Sequence, residues 1–379
     1  MRYGKSGIKV IDRDAPQYIH ARFAGLIEDD IELVDERLRL CDRFVKLASM
    51  AAIKACHDSD LRLPFKNPSR SGVIVSSNKG GTSTLEEIYI DTYIGDKRPK
   101  PIAYSASTAS AFISILTGAK GLMLNLSVAS VSGLQSLNLA KHYIDCGEVD
   151  LMLSGASEAT VTRSTLAALN SVGVLLRNGT DPNKAYKVFD LNRNGMILGE
   201  GAAICVLESL ENAVKRSAKI YAEVIGCGYA SEAYHLYALS HDQDGLVRSM
   251  QNCISDAGIS ISDIDLIAAH GTGTKQNDVY ETLAVKKVFG DLAYRVPMIS
   301  LKPFTGHTLA CAGVMDLCLL LISIDNGFIP PTLNLTTPDP ECDLDYVPNK
   351  SRPASVKTIL FNALGFGGYC SSLLLRRWE

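Results

Sequence analysis

The sequence is poor in the features that announce most non-catalytic roles. Positive charge is not in excess. The formal net charge is −3 over 379 residues, with a pI near 6.2, so no basic footprint for nucleic acid is present. No apolar run is long enough to span a membrane; the longest candidate, Val314–Ile324, carries Asp316 and is too short. The ten cysteines form no CxxC pair, and Cys205 and Cys318 lie in apolar runs. That spacing offers no zinc site and no disulfide framework, and it suits reduced thiols in a cytoplasmic protein. Met1–Lys9 is polar and contains glycine, unlike a signal peptide. No low-complexity segment or long linker interrupts the chain, so two interlocked halves are expected instead of separate beads.

Hydrophobic residues make up 46% and charged residues 21%, the balance of a globular protein. The length suits two or three domains, or one duplicated domain. The most informative stretch is Leu124 to Gly147. Leu124–Val128 reads as a short buried strand. Leu134, Leu137, Ala140 and Ile144 then recur on one helical face, and Gly147 stops the helix. Ser130 therefore sits where a strand turns into a helix. The first-turn N–H groups there are unpaired and partly positive. A side chain at such a turn is exposed, and an oxyanion beside it is stabilised. Ser130 is either a reactive group or simply a helix cap.

Around this stretch the chain alternates. Met1–Asp30 reads as loop and Glu36–His57 as a helix. Ser71–Ser77 is a buried strand, Ser105–Gly118 a small-residue helix, Asp150–Gly155 a strand, Ser164–Val172 a helix and Ala202–Leu207 a strand. Strands then follow at Ile220–Gly226, Ile264–Ala269, Val296–Ser300, Lys357–Ala363 and Ser371–Arg376. Helices lie between them at Gly245–Ala257, Asp278–Phe289 and His307–Ile324. This alternation indicates an α/β fold with largely parallel sheets.

Five further motifs carry possible chemistry, each with a plain structural alternative. His270-Gly-Thr-Gly-Thr274 follows a strand, where α/β sheets bind ligands at the carboxyl ends, or is a tight turn around a satisfied histidine. In Lys302-Pro-Phe-Thr-Gly-His307 the histidine opens a helix. Its imidazole should then be neutral and able to donate a hydrogen bond; otherwise it caps. Asp278-x-x-Glu281 is a functional pair or a capping-box variant. Gly365-Phe-Gly-Gly368 is a turn whose backbone can approach a ligand closely. Asp190-Leu-Asn-Arg193-Asn-Gly195 before Gly199-Glu-Gly201 reads best as a structural ion pair.

Taken together and in order, these motifs resemble the β-ketoacyl-acyl carrier protein synthases. The residues concerned are Ser127-Val-Ala-Ser130-Val-Ser-Gly133, Phe189-Asp190, Gly199-Glu-Gly-Ala-Ala203, His270-Gly-Thr-Gly-Thr274, Lys302, Gly306-His-Thr308 and Gly365-Phe-Gly-Gly368. The resemblance covers essentially the whole chain. It implies the thiolase fold, a duplicated five-layered α/β/α/β/α architecture, usually a dimer, with halves at residues 1–208 and 209–379. It implies decarboxylative condensation of malonyl-carrier protein with an acyl thioester in fatty acid or polyketide assembly. It also implies an acyl carrier protein partner and a homodimer, or a heterodimer with a related subunit. No cofactor or metal is implied; substrates ride on the carrier's phosphopantetheine.

By the same resemblance Ser130 stands where the family has its cysteine nucleophile. His270 and His307 match the histidines that assist decarboxylation and stabilise the thioester enolate. Lys302 and Glu281 match residues supporting that site, and Thr272 and Thr274 those holding the phosphopantetheine arm. Phe366 matches the gate of the acyl pocket, and its N–H would form the oxyanion hole with that of Ser130.

Three departures stand out. Serine replaces cysteine at 130. A thiol has a pKa of about 8.5 and ionises at a helix N-terminus without a base, whereas a serine hydroxyl needs one. Three readings follow: a condensing subunit with its nucleophile replaced, a non-condensing chain-length-factor partner, or a Ser-dependent acyltransferase. Gly4–Ile8 resembles a segment that normally follows an opening strand and helix, so that strand is expected to be missing, leaving an open sheet edge. Tyr369-Cys370 stands where Thr-Asn is usual, which bears on the shape of the gating turn.

Overall fold

The computed structural model describes residues 1–11, 20–28, 31–90 and 104–378. The opening is not all loop: β1 (Ile8–Val10) and β2 (Phe23–Gly25) pair antiparallel. Residues 12–19 and 29–30 of the expected loop lie outside the described residues. The single helix expected over Glu36–His57 is two pieces, a 3-10 turn at Glu36–Leu40 and α1 (Arg43–Asp58). Asp42 divides them. Its backbone is extended, and its carboxylate accepts the Phe44 N–H at 3.1 Å and the Thr84 N–H at 3.0 Å, so it caps α1.

There follow β3 (Ser71–Ser76), α2 (Thr82–Tyr89), α3 (Thr108–Thr117), β4 (Met123–Leu124), α4 (Ser132–Asp145), β5 (Leu151–Glu158), α5 (Arg163–Val172), α6 (Pro182–Ala185) and β6 (Gly201–Glu208). The remainder is α7 (Leu210–Lys215), β7 (Ala222–Ser231), α8 (Asp244–Ala257), β8 (Leu266–Ala268), α9 (Lys275–Phe289), β9 (Met298–Ile299), α10 (Lys302–Thr305), α11 (Ala312–Asp325), the paired β10 (Phe328–Ile329) and β11 (Arg352–Pro353), β12 (Thr358–Gly365) and β13 (Tyr369–Arg377).

Two sheets organise these elements, ordered β4-β3-β5-β6 and β7-β13-β12-β8-β9. They are mixed, not largely parallel. The neighbours β4, β3 and β5, and β12, β8 and β9, run parallel, while β6, β13 and β7 are antiparallel to their neighbours. The turn Phe366–Gly368 is too short for a crossover, so β12 and β13 must form a hairpin. Among the described residues β6 pairs only with β5, whereas β13 carries β7 on its outer edge. The strand expected over Leu124–Val128 is also shorter and less buried: β4 stops at Leu124, and Met123 is 47% exposed. The Asn125 amide donates to Val75 O at 3.1 Å and Ala106 O at 3.2 Å, replacing ladder bonds that a longer β4 would need.

The helices α4 and α11 lie between the sheets. Leu134 and Leu137 of α4 and Val314, Leu317 and Leu320 of α11 are buried with Ala203 of one sheet and Ile359, Phe361 and Leu373 of the other. Each large side chain so buried contributes roughly 1.5–3 kcal/mol. Helices α1 and α3 cover the outer face of the first sheet, and α8 and α9 that of the second. The result is the five-layered α/β/α/β/α arrangement. Close approach in the middle layer depends on Gly133, where a Cβ would stand 2.7 Å from Ala310 O. No helix among the described residues is long and apolar enough to cross a membrane.

Candidate active site

The turn between β4 and α4 is an elbow. Ala129 is held at φ 50°, a left-handed conformation that is uncommon for a side-chain-bearing residue. Ser132 organises it: its Oγ accepts the Val128 N–H at 3.0 Å and lies 2.7 Å from Ala129 O and 2.8 Å from Asn78 Oδ1. Ser130 does not cap the helix. Helix α4 begins at Ser132, with Val131 as its N-cap and no side-chain cap bond. Instead Ser130 Oγ lies 3.1 Å from His307 Nε2.

That histidine is not at the start of a long helix, as its motif suggested. Leu309–Cys311 is a 3-10 turn and α11 begins only at Ala312. Neutrality of His307 therefore has another cause. Burial, and then the Lys302 ammonium, hold its imidazole well below the usual value. The Leu309 N–H donates to its Nδ1 at 3.3 Å, so the ring proton resides on Nε2. Nε2 is thus a donor facing Ser130 Oγ. His270 packs edge-on against His307, with ring centroids 5.3 Å apart. Burial, Lys302 and then His307 keep it neutral as well.

The loop carrying His270 is fixed from behind. Glu281 Oε1 accepts the His270 N–H at 2.7 Å, and Oε2 accepts the Gly271 N–H at 2.8 Å. Burial pushes Glu281 up to about 7, against those donors and Lys302. The capping-box alternative for Asp278 and Glu281 fails. Thr274 caps α9, accepting the Asn277 N–H at 3.3 Å, and Asp278 accepts from Phe189 N and Gly273 N. Thr272 Oγ1 and Thr274 Oγ1 are 3.0 Å apart. Lys302 is 1% exposed, and its Nζ meets Asp316 Oδ2 at 3.2 Å. Removing either partner of such a buried pair costs about 3–5 kcal/mol. The ion-pair reading of the Asp190–Gly195 loop holds, with Arg193 paired to Asp339.

Opposite the elbow is the turn after β12. A Cβ on Gly365 would stand 2.8 Å from Ala129 Cβ and 3.2 Å from Ser130 N. Glycine alone permits that approach, which brings the Phe366 main chain beside Ser130. The Phe366 ring meets Tyr237 edge-on, centroids 5.6 Å apart. Cys370 is buried, with Sγ 3.9 Å from both Glu232 Oε1 and Gly368 O, and Tyr369 packs on Gly367.

A cavity of about 800 Å³ is lined by Ser130, His270, His307, Thr272, Thr274 and Phe366, among others. Lys302 and Glu281 lie behind it. Sequence reasoning missed Asp316 as the partner of Lys302, although a lone charge in an apolar helix was a usable signal. It also missed Asn78, Ser132 and Tyr237; Ser132 lies inside the Ser127–Gly133 motif, whereas nothing in the local sequence marks Asn78 or Tyr237.

Comparison with known proteins shows the family and the fold. A family model described as "Beta-ketoacyl synthase, N-terminal domain" matches residues 3–213, and "Beta-ketoacyl synthase, C-terminal domain" matches residues 221–336. The chain is 36% identical to a 3-oxoacyl-[acyl-carrier-protein] synthase 2 of Coxiella burnetii and 34% identical to that of Staphylococcus aureus, over 99% of this chain and 92% of each relative. Two solved structures superpose over all of this chain and 93% of their own. One is a type II PKS ketosynthase in complex with its acyl-carrier protein, AntDE:AntF, at TM-score 0.92 and 31% identity. The other is the ishigamide ketosynthase/chain length factor, at TM-score 0.89 and 30% identity. The fold is thus the thiolase fold, and the chain belongs to the β-ketoacyl synthase family.

Proposed function

We propose that this chain acts on malonyl-carrier protein as a β-ketoacyl synthase-type subunit of fatty acid or polyketide assembly, with acyl transfer switched off at Ser130 and decarboxylation retained. The observation that carries this is the pair of neutral imidazoles, one directing its Nε2–H at position 130. In decarboxylation the bond between the carboxylate carbon and the α-carbon breaks and CO2 leaves. The electron pair moves to the thioester oxygen, where His270 and His307 donate hydrogen bonds to the enolate. A solvent proton on the α-carbon completes acetyl-carrier protein. Glu281 holds the His270 loop and the Lys302 ammonium helps keep both rings neutral, Thr272 and Thr274 flank the phosphopantetheine arm, and Phe366 closes the acyl side. With its proton on Nε2, His307 is no base for Ser130, which argues against a Ser-dependent acyltransferase. Offered both malonyl- and acyl-carrier protein, the chain should yield acetyl-carrier protein and no elongated β-ketoacyl product. A malonyl form that stays intact would identify a silent partner of the chain-length-factor kind.

Because both histidines are already neutral, the rate per folded molecule should stay level as pH falls through about 6.5, the ordinary imidazole value. A depressed folded-state pKa means that their stability contribution is complete above 6.5 and is lost as pH falls below it. Glu281 has the opposite sign: its contribution is complete below 4.5 and is lost as pH rises to about 7. Decarboxylation rates normalised to the folded fraction by circular dichroism check this. An acid limb between about 6 and 7.5 that persists in Glu281→Gln would contradict neutral donors, and one that disappears in that variant would point to Glu281.

Exposed Ile115 on α3 and Met123 on the edge strand β4 offer an apolar surface beside the elbow. Association across that edge, with a second copy or a related subunit, is expected. Light scattering showing a monomer at micromolar concentration, alone and with candidate partners, would overturn it. Ten free thiols support a reducing, cytoplasmic location.

A further inference from the structure

The hydroxyl of Ser132 that closes the elbow has a second contact, and that contact reaches back into the first sheet. Asn78 stands just beyond β3. Its N–H donates to Glu158 Oε1 at 2.5 Å, and the preceding Ser77 Oγ accepts the Gly80 N–H at 3.0 Å. Glu158 ends β5, is fully buried, and its other carboxyl oxygen has no hydrogen-bond partner among the described residues. The Asn78 backbone is thereby pinned between two strand ends. Its side chain crosses to α4 and meets Ser132 Oγ at 2.8 Å. That Oγ ties the start of α4 to the two residues just ahead of Ser130, taking the Val128 N–H and approaching Ala129 O. Ala129 needs such restraint, since its positive φ is not self-sustaining.

We propose that Asn78 is a positioning residue: acting through Ser132, it fixes the elbow so that the side chain at 130 faces His307. The proposal rests on reading position 130 as the nucleophile site. Removal of either Asn78 or Ser132 frees the elbow and moves that side chain away from the Nε2–H donor. Because the two residues act as one link, losing both does little more than losing one.

The test uses the full chain carrying Ser130→Cys. Peptide mass spectrometry follows alkylation of the introduced thiol by iodoacetamide across pH. The midpoint should lie below about 8.5, the free-thiol value. Adding Asn78→Ala or Ser132→Ala should raise it by about half to one pH unit, slowing alkylation at pH values below the midpoint about three- to tenfold. The double variant should match the larger single effect. Loss of general stability alone lowers the folded fraction and leaves the midpoint in place. A depressed midpoint that a folded Asn78→Ala does not move, or shifts that simply add, overturns the proposal. If Asn78→Ala fails to fold, Ser132→Ala breaks the same link, and an unmoved midpoint there is equally decisive. A midpoint already at the free-thiol value in the Ser130→Cys chain overturns the underlying reading of position 130, and the proposal with it.

Discussion

Ser130→Cys should take the chain from no detectable acyl adduct to full occupancy at position 130. The elbow, the first-turn N–H groups of α4 and the His307 Nε2–H at 3.1 Å are already in place. A thiol in that setting loses its proton without a base, because the helix N-terminus and the donor favour the anion. Serine in the same setting keeps its proton, since the group that would have to accept it is itself protonated on the facing nitrogen. Intact-mass measurement after incubation with an acyl-carrier protein, or a thioester mimic of it, reads the change directly. A folded Ser130→Cys chain that never acylates would remove position 130 from the nucleophile role.

His307→Ala or His270→Ala should slow conversion of malonyl- to acetyl-carrier protein by about 10²–10³ each, by analogy with losing one oxyanion donor. These two imidazoles are the donors assigned to the charge that develops on the thioester oxygen. Burial makes each bond worth more than it would be in water. His307→Ala should be the more severe, because that ring also faces position 130 and its loop runs into the 3-10 turn before α11. Rates from a carrier-protein time course check this. Decarboxylation surviving in both variants would take the histidines out of the mechanism.

Much of the framework was legible from residue spacing. The Leu134–Ala140 stripe and the Gly147 stop gave α4 within a residue or two, and the alternation gave the α/β class. Strand direction was not legible, because a buried strand looks alike whether its neighbour runs parallel or antiparallel; only the short Phe366–Gly368 turn betrayed the hairpin. The break at Asp42 carried a visible signal, an acidic cap before an apolar helix. The His307 segment misled in the other direction. Its apolar run continues into α11, but Leu309 takes a positive φ of 49° that periodicity does not record. Ser130, His270, His307, Thr272, Thr274 and Phe366, singled out by motif order, come together on one cavity, yet the partners of the site residues were not legible. Asp316, Asn78 and Ser132 act across the fold, and such contacts arise from packing of distant segments.

The most direct measurement is an intact-mass time course of malonyl-carrier protein with the unaltered chain and no acyl donor. Slow, catalytic loss of CO2 to give acetyl-carrier protein is expected, with no mass added to the chain at Ser130. A malonyl form that persists unchanged, or a stable acyl adduct on Ser130, would contradict it.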